Sequence, residues 1–282
     1  MYRNEGKHLR QAIQSILSQT YRQFVLYVLD DESTDSSADI VREMAAQDGR
    51  IVFYRNSERT GYSESYRRLF QGAEDSCQYF AWISGHDVYD ATWLEKSVKA
   101  LDEDPTTSVV YFLNDRIDED GNHLRDEGVR FEALQEGAIA RLFALLFRGR
   151  GFGNIIYGLY RADHLKKCGI YRRLLVADIV QIFEISLWGK IRQLNELLWH
   201  RRYDNFNGRD RDEIQKMIRR QRRNMFSTPP RYSFYPWPIV NCLWIWWHQI
   251  VKSQASFRHR MAGFIAGIFF FVKYMRPQRL CD

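Results

Sequence analysis

At 282 residues, 45% hydrophobic and 15% aromatic, the chain is long enough for one large domain or two small ones and has ample material for a core, which excludes a disordered protein. The four cysteines, Cys77, Cys168, Cys242 and Cys281, show no CxxC spacing, so neither a disulfide framework nor a zinc site is indicated and a reducing compartment is the default. The net charge of +6 hides an asymmetry: residues 1–200 hold 25 Lys and Arg against 30 Asp and Glu, whereas residues 201–282 hold 16 against 5.

The N-terminus, MYRNEGKHLRQ, lacks the basic-then-apolar layout of a signal peptide, so export is not expected. Leu9, Ala12, Ile13, Ile16 and Leu17 recur at helical spacing, and the unbroken apolar run Phe24 to Leu29 reads as a strand buried on both faces. After DDESTDSS comes a helical stripe (Ile40, Val41, Met44) and a short strand, Ile51 to Tyr54. Helices then follow at Tyr66–Ala73 and Trp93–Leu101, and strands at Tyr79–Ile83 and Val109–Leu113. This alternation predicts an α/β domain with a Rossmann-like, mostly parallel sheet flanked by helices.

Further on, Arg116 to Gly128 reads as a polar loop or hairpin, Leu134 to Phe147 as a helix, Ile155 to Tyr160 as a strand and Asp178 to Trp188 as a helix. IRQLNELLWHRR offers a short strand or two. A boundary is expected near residue 205, which divides a domain over residues 1–205 from a helical, basic and aromatic tail over 206–282. The tail holds four of the eight tryptophans, Trp237, Trp244, Trp246 and Trp247. Its apolar run Met261 to Val272 is well short of the roughly 20 residues a membrane-crossing helix needs. Tryptophans with Arg219, Arg220, Arg222, Arg223, Lys252, Arg258 and Arg260 suit the surface of an anionic membrane, which places the protein in the cytoplasm, peripheral on the inner face of the cell membrane. RRQRR at Arg219–Arg223 reads as a solvated helix face, and no nucleic-acid partner is expected.

In open parallel sheets ligands bind beyond the carboxyl ends of the strands, and two strands here end in acid. The first ends in Asp30 and Asp31, followed by Ser33, Thr34 and Asp35, which suit the cap of the next helix; the second ends in Ser84-Gly85-His86-Asp87. Carboxylates so placed accept hydrogen bonds from a base or ribose, or hold a hard divalent ion against a diphosphate; they also serve as ordinary turn and cap residues.

The stretch YRNEGKHLRQAIQSILSQTYRQFVLYVLDDESTDSS resembles the opening of the nucleotide-sugar-dependent glycosyltransferases of family 2, which have the GT-A fold. The resemblance continues through DGRIVFYRNSERTGYSESYRRLF, the acidic motif before a tryptophan-leucine helix start, IIYGLYRADHL and VADIVQIFEISLWGK, to about residue 203. It implies an inverting transfer of a sugar from a nucleoside-diphosphate sugar to a hydroxyl of a glycan or lipid-linked acceptor in cell-surface polysaccharide or glycolipid synthesis. Carried over by position, Asp30 and Asp31 contact the nucleotide base, Tyr2 lines the same pocket, Asp87 is the ligand of a divalent metal (Mn2+ or Mg2+), and Asp178 is the general base.

Two departures stand out. Where the family pattern often reads D-x-D-D, this chain has Ser84-Gly85-His86-Asp87, so His86 is expected to contact the nucleotide, to ligate the ion, or to bond the turn. The family also has an apolar strand and a proline before the position of Met1, beside the Phe24–Leu29 strand, and upstream residues of that kind are expected here. A different reading keeps the fold as a catalytically impaired nucleotide-binding or membrane-scaffold protein. His86-Asp87 as a metal-dependent phosphohydrolase signature is disfavoured, because His8, His123, His164 and His200 give no histidine pairs at helical spacing.

Overall fold

The computed structural model describes residues 1–127, 129–149, 152–171 and 177–202. The tail after Arg202, with the tryptophans and basic residues assigned to a membrane surface, lies outside the described residues.

The first helix, α1 (Leu9–Leu17), buries Leu9, Ala12, Ile13 and Ile16 on one face, as their spacing requires. It leads into β1 (Leu26–Asp30), and α2 (Ser37–Gln47) crosses over to β2 (Ile51–Arg55). The two strands pair in parallel, from Leu26 opposite Ile51 to Asp30 opposite Arg55. Helix α3 (Tyr62–Ala73) then leads to β3 (Tyr79–Ala81), β4 (Val88–Tyr89), α4 (Trp93–Glu103) and β5 (Thr107–Ile117). Strand β6 (His123–Glu127) turns back on β5, so the polar segment after Arg116 is a hairpin. Asp118 closes its turn by accepting the N–H groups of Asp120 and Asn122, at 2.9 and 2.8 Å.

The remaining elements are α5 (Ala138–Arg148), α6 (Phe152–Ile155), β7 (Leu159–Arg161), α7 (Ala162–Leu165), α8 (Ala177–Trp188) and β8 (Lys190–Arg202). Of the strand expected over Ile155–Tyr160 only Leu159 and Tyr160 are strand; Ile155 ends α6, Ile156 and Tyr157 form a turn, and β7 follows Gly158. A Cβ there would lie 2.6 Å from the carbonyl oxygen of Val110, so only glycine lets the chain pass β5 that closely. One long strand, β8, replaces the short ones expected after Gly189 and pairs in parallel with β5 from Thr107–Lys190 to Ile117–Arg202.

The larger sheet has the order β3-β7-β5-β8-β4, with β6 added to β5. It is mixed rather than mostly parallel: β5–β8 is parallel, but β7 inserts antiparallel between β3 and β5, and β4 pairs antiparallel with β8. Helix–strand alternation reports which segments are strands, not which later strand slides between them. The main core lies against this sheet, where Trp82 meets Tyr66, Phe80, Tyr160 and Tyr171 at ring-centroid separations of 5.0 to 6.2 Å.

Strands β1 and β2 form a separate two-stranded sheet. Among the described residues, the outer edge of β1 meets other backbone only at Tyr2, whose N–H donates to the Leu29 carbonyl (3.0 Å) and whose carbonyl accepts the Asp31 N–H (3.0 Å). From Tyr2 back toward Val25, a slot of about 420 Å³ separates β1 from β3, lined by apolar groups of Leu9, Ile13, Val28, Phe80 and Trp82. Val25 at its far end is 54% exposed. This slot lies beside the Phe24–Leu29 segment, where the family resemblance leads one to expect a neighbouring strand.

Candidate active site

The end of β1 is organised by carboxylates. Asp30 accepts the Ser33 N–H on Oδ1 (2.9 Å), and its Oδ2 lies 3.2 Å from Nε of Arg55, its partner across the ladder. Asp31, 1% exposed, accepts the Thr60 N–H (2.8 Å), the Thr60 hydroxyl (3.0 Å) and the Asn56 amide (2.8 Å) on one oxygen, and the Gly61 N–H (2.8 Å) on the other. Gly61 has φ +83°, which a side chain would strain. Asp31 thereby fixes the turn that starts α3, a role that four charge-assisted bonds make rigid. Tyr2 is 2% exposed and packs with Leu9, Ile13 and Val28, while its buried hydroxyl has no hydrogen-bond partner among the described residues. Burial and the Asp30 charge together push its pKa well up.

The segment after β3 passes under Tyr2. At Gly85 a Cβ would sit 3.1 Å from Cβ of Tyr2, so the close approach favours glycine. Beyond it His86 and Asp87 face different ways. Asp87 is 2% exposed and bonded on both oxygens: Oδ1 accepts the Arg202 N–H (2.9 Å) and Oδ2 the Trp199 indole N–H (3.0 Å). Burial raises its pKa against the pull of His86 and these donors. His86 lies between two carboxylates, with Nδ1 3.4 Å from Glu5 Oε1 and Nε2 3.7 Å from Asp87 Oδ1. Burial alone would depress the imidazole, but Glu5 and Asp87 override it and hold the His86 pKa above the usual value.

His86 opens on a cavity of about 260 Å³ whose walls include Glu5, Tyr62, Tyr157, Asp178 and Arg201. Asp178 stands in the first turn of α8, and burial lifts its pKa above the ordinary carboxylate range. Of the residues singled out from the sequence, His86 and Asp178 therefore share one cavity. Asp30, Asp31, Asp87 and Tyr2 do not line it; they brace the backbone around it. Glu5, Tyr62, Tyr157 and Arg201 were not singled out. The signal for Arg201 was present in WHRR at the carboxyl end of a strand, the position where ligands gather in such sheets.

The family described as "Glycosyl transferase family 2" matches residues 1–167, more than half of the chain. The chain belongs to this family. An uncharacterized glycosyltransferase of Methanocaldococcus jannaschii is 32% identical over 143 residues, 48% of this chain and 47% of that protein. Glycosyltransferase GlyG of Streptococcus pneumoniae is 24% identical over 119 residues, 42% of this chain and 39% of that one. The chain thus spans less than half the length of these curated relatives. The fold is GT-A: the structure of S. aureus TarS 1-349 with UDP covers 98% of this chain and 70% of its own, at TM-score 0.66 and 13% identity. The mannosyltransferase PcManGT from Pyrobaculum calidifontis, solved with GDP-Man and Mn2+, covers 99% and 86%, at TM-score 0.54 and 14% identity.

The divalent ion implied by this family can be tested against the donors present. Among the described residues no three of His, Cys, Asp or Glu converge on a point that would hold a metal. The set Glu5, His86 and Asp87 has the imidazole between the carboxylates, 3.4 Å from Glu5 and 3.7 Å from Asp87, and the Asp87 carboxylate is turned toward β8, where each oxygen accepts one protein N–H. A hard ion prefers several oxygens converging on one point, and among the described residues this cleft gathers no such set.

Proposed function

We propose that the chain is an inverting transferase that moves a sugar from a nucleoside-diphosphate sugar to an acceptor hydroxyl, in the synthesis of a cell-surface polysaccharide or glycolipid. Family membership supports the reaction class. The observation that carries the reading further is the opening of Asp178, with its raised pKa, on the same cavity as His86 and Arg201. In a single displacement the acceptor oxygen forms a bond to the anomeric carbon as the bond to the diphosphate breaks, its electron pair leaving on the phosphate oxygen. The acceptor's proton passes to Asp178, whose elevated pKa suits a base working near neutrality. Asp30, Asp31 and Tyr2 remain the candidates for the nucleotide end and act through the backbone they fix. Mn2+ or Mg2+ with Asp87 as ligand belongs to the family expectation, but the donor set does not fit it, and no step here is routed through an ion.

Incubation with a panel of nucleoside-diphosphate sugars should release a nucleoside diphosphate from one of them, and the transferred sugar should show inverted anomeric configuration by NMR coupling. Retention would overturn the displacement; binding of nucleotide without release would favour the impaired-scaffold reading.

A peripheral membrane location is part of the proposal. No helix among the described residues is long and apolar enough to cross a membrane. The charge asymmetry of the sequence supports surface binding, at about 1 kcal/mol per basic residue near anionic lipid. The whole chain should sediment with anionic liposomes at low salt and a chain ending near residue 230 should not; if both stay in the supernatant, the tail serves another purpose.

A further inference from the structure

The geometry points to Arg201 as the cation that meets the leaving diphosphate, with His86 beside it, in place of a divalent metal ion. This rests on the nucleotide-sugar reading above and names the group that holds one part of that donor.

Arg201 lines the cleft that His86 and Asp178 also line. Its position is fixed from both sides. The buried Asp87 takes the indole N–H of Trp199 on one oxygen and the backbone N–H of Arg202 on the other, so its carboxylate brackets residue 201. Arg202 is buried and spreads its guanidinium over the carbonyls of His86 (3.0 Å), Asp118 (2.7 Å) and Glu119 (2.7 Å) and the side-chain oxygen of Gln11 (2.6 Å). The Arg201 guanidinium itself lies over the Trp199 ring, 5.7 Å from its centroid, with one N–H 3.4 Å from Oδ1 of Asn154. Asn154 is in turn held by the hydrogen bond that its Nδ2 donates to Oδ1 of Asn114 (2.6 Å). An arginine held in this way keeps the planar fork that phosphate oxygens accept bidentately. Asp87, bonded to residues on either side of Arg201, acts as a positioning residue for that cation.

The test compares nucleotide affinities of the whole chain, by calorimetry, with UDP and GDP and with UMP and GMP as probes. With EDTA present, the unaltered protein should bind its preferred diphosphate within about threefold of its affinity in Mn2+. Arg201→Gln should lose at least about tenfold for the diphosphate and less than twofold for the matching monophosphate, while Arg201→Lys should fall between, since it keeps the charge and loses the fork. Melting temperatures of both variants show whether the fold survives. If Arg201→Gln does not fold, the lysine variant and the EDTA comparison decide. Diphosphate binding that vanishes in EDTA, returns with Mn2+ and ignores both substitutions overturns the inference while leaving the glycosyltransferase reading intact. Failure of every nucleotide to bind the unaltered protein under either condition refutes that reading, and this inference with it.

Discussion

Replacing Asp178 with asparagine should lower turnover by about a hundredfold or more while nucleotide-sugar binding stays within about threefold, because a general base acts on the acceptor in the transition state and contributes little to donor affinity. The substitution keeps size and removes only the ability to take a proton. The pH dependence gives a second readout. Asp178 must be ionised to accept the proton, and burial raises its pKa, so the rate should climb with pH through a value above the ordinary carboxylate range. That limb should disappear in the asparagine variant. A variant that turns over within a few-fold of the parent, or one that loses donor binding in proportion to rate, would assign the proton transfer elsewhere in the cleft.

The second large effect concerns stability. Tyr2 runs parallel to β1, so a residue placed before Met1 would run back along β1 through the slot that separates it from β3. Joining an apolar, β-branched strand of about five residues ahead of Met1 should fill that slot and give β1 a continuous partner. Each apolar side chain buried there is worth about 1.5–3 kcal/mol, against an ordering cost of about 1–2 kcal/mol per residue, and backbone pairing adds to the gain. A net few kcal/mol corresponds to a rise in melting temperature of at least about 5 °C for a domain of this size. The control extension, of equal length but rich in glycine and serine, should give none. Equal melting temperatures for the two extensions would mean that the slot does not accept a strand.

Local chemistry was legible where one residue type has one use. The stripe of Leu9, Ala12, Ile13 and Ile16 gave α1, and the apolar run before Asp30 gave β1 within two residues of its start. The direction of the strands in the larger sheet was not legible, because β7 and β8 arrive late in the chain and insert between strands laid down earlier. In the site, proximity to a strand end led to His86, which lines the cavity, but it could not separate a carboxylate that faces a cavity from one that faces backbone. Asp31 and Asp87 read alike in sequence to any cleft-facing acid; only the placement of the Thr60 and Gly61 N–H groups, the Trp199 indole and the Arg202 N–H shows that their oxygens accept bonds from the protein itself. Arg201 was missed for the opposite reason: an arginine in a basic stretch carries no mark of its address until the strand that bears it is paired.

That address has a consequence for how this cleft tolerates change. Arg201 sits on β8, in the stretch paired residue for residue with β5, Asn114 opposite Trp199, Asp115 opposite His200 and Arg116 opposite Arg201, beyond shifts of register between Leu194 and Trp199. Inserting a single residue between Trp199 and Arg201 would turn the arginine to the other face of the sheet, whereas one added between Leu194 and Trp199 falls where the register already shifts. The hairpin turn at Asp118–Asn122 shares the constraint, because the carbonyls of Asp118 and Glu119 accept the Arg202 guanidinium. Variation in chain length should therefore collect between Leu194 and Trp199, whereas the electrostatics of the cleft change only by exchanging one side chain for another.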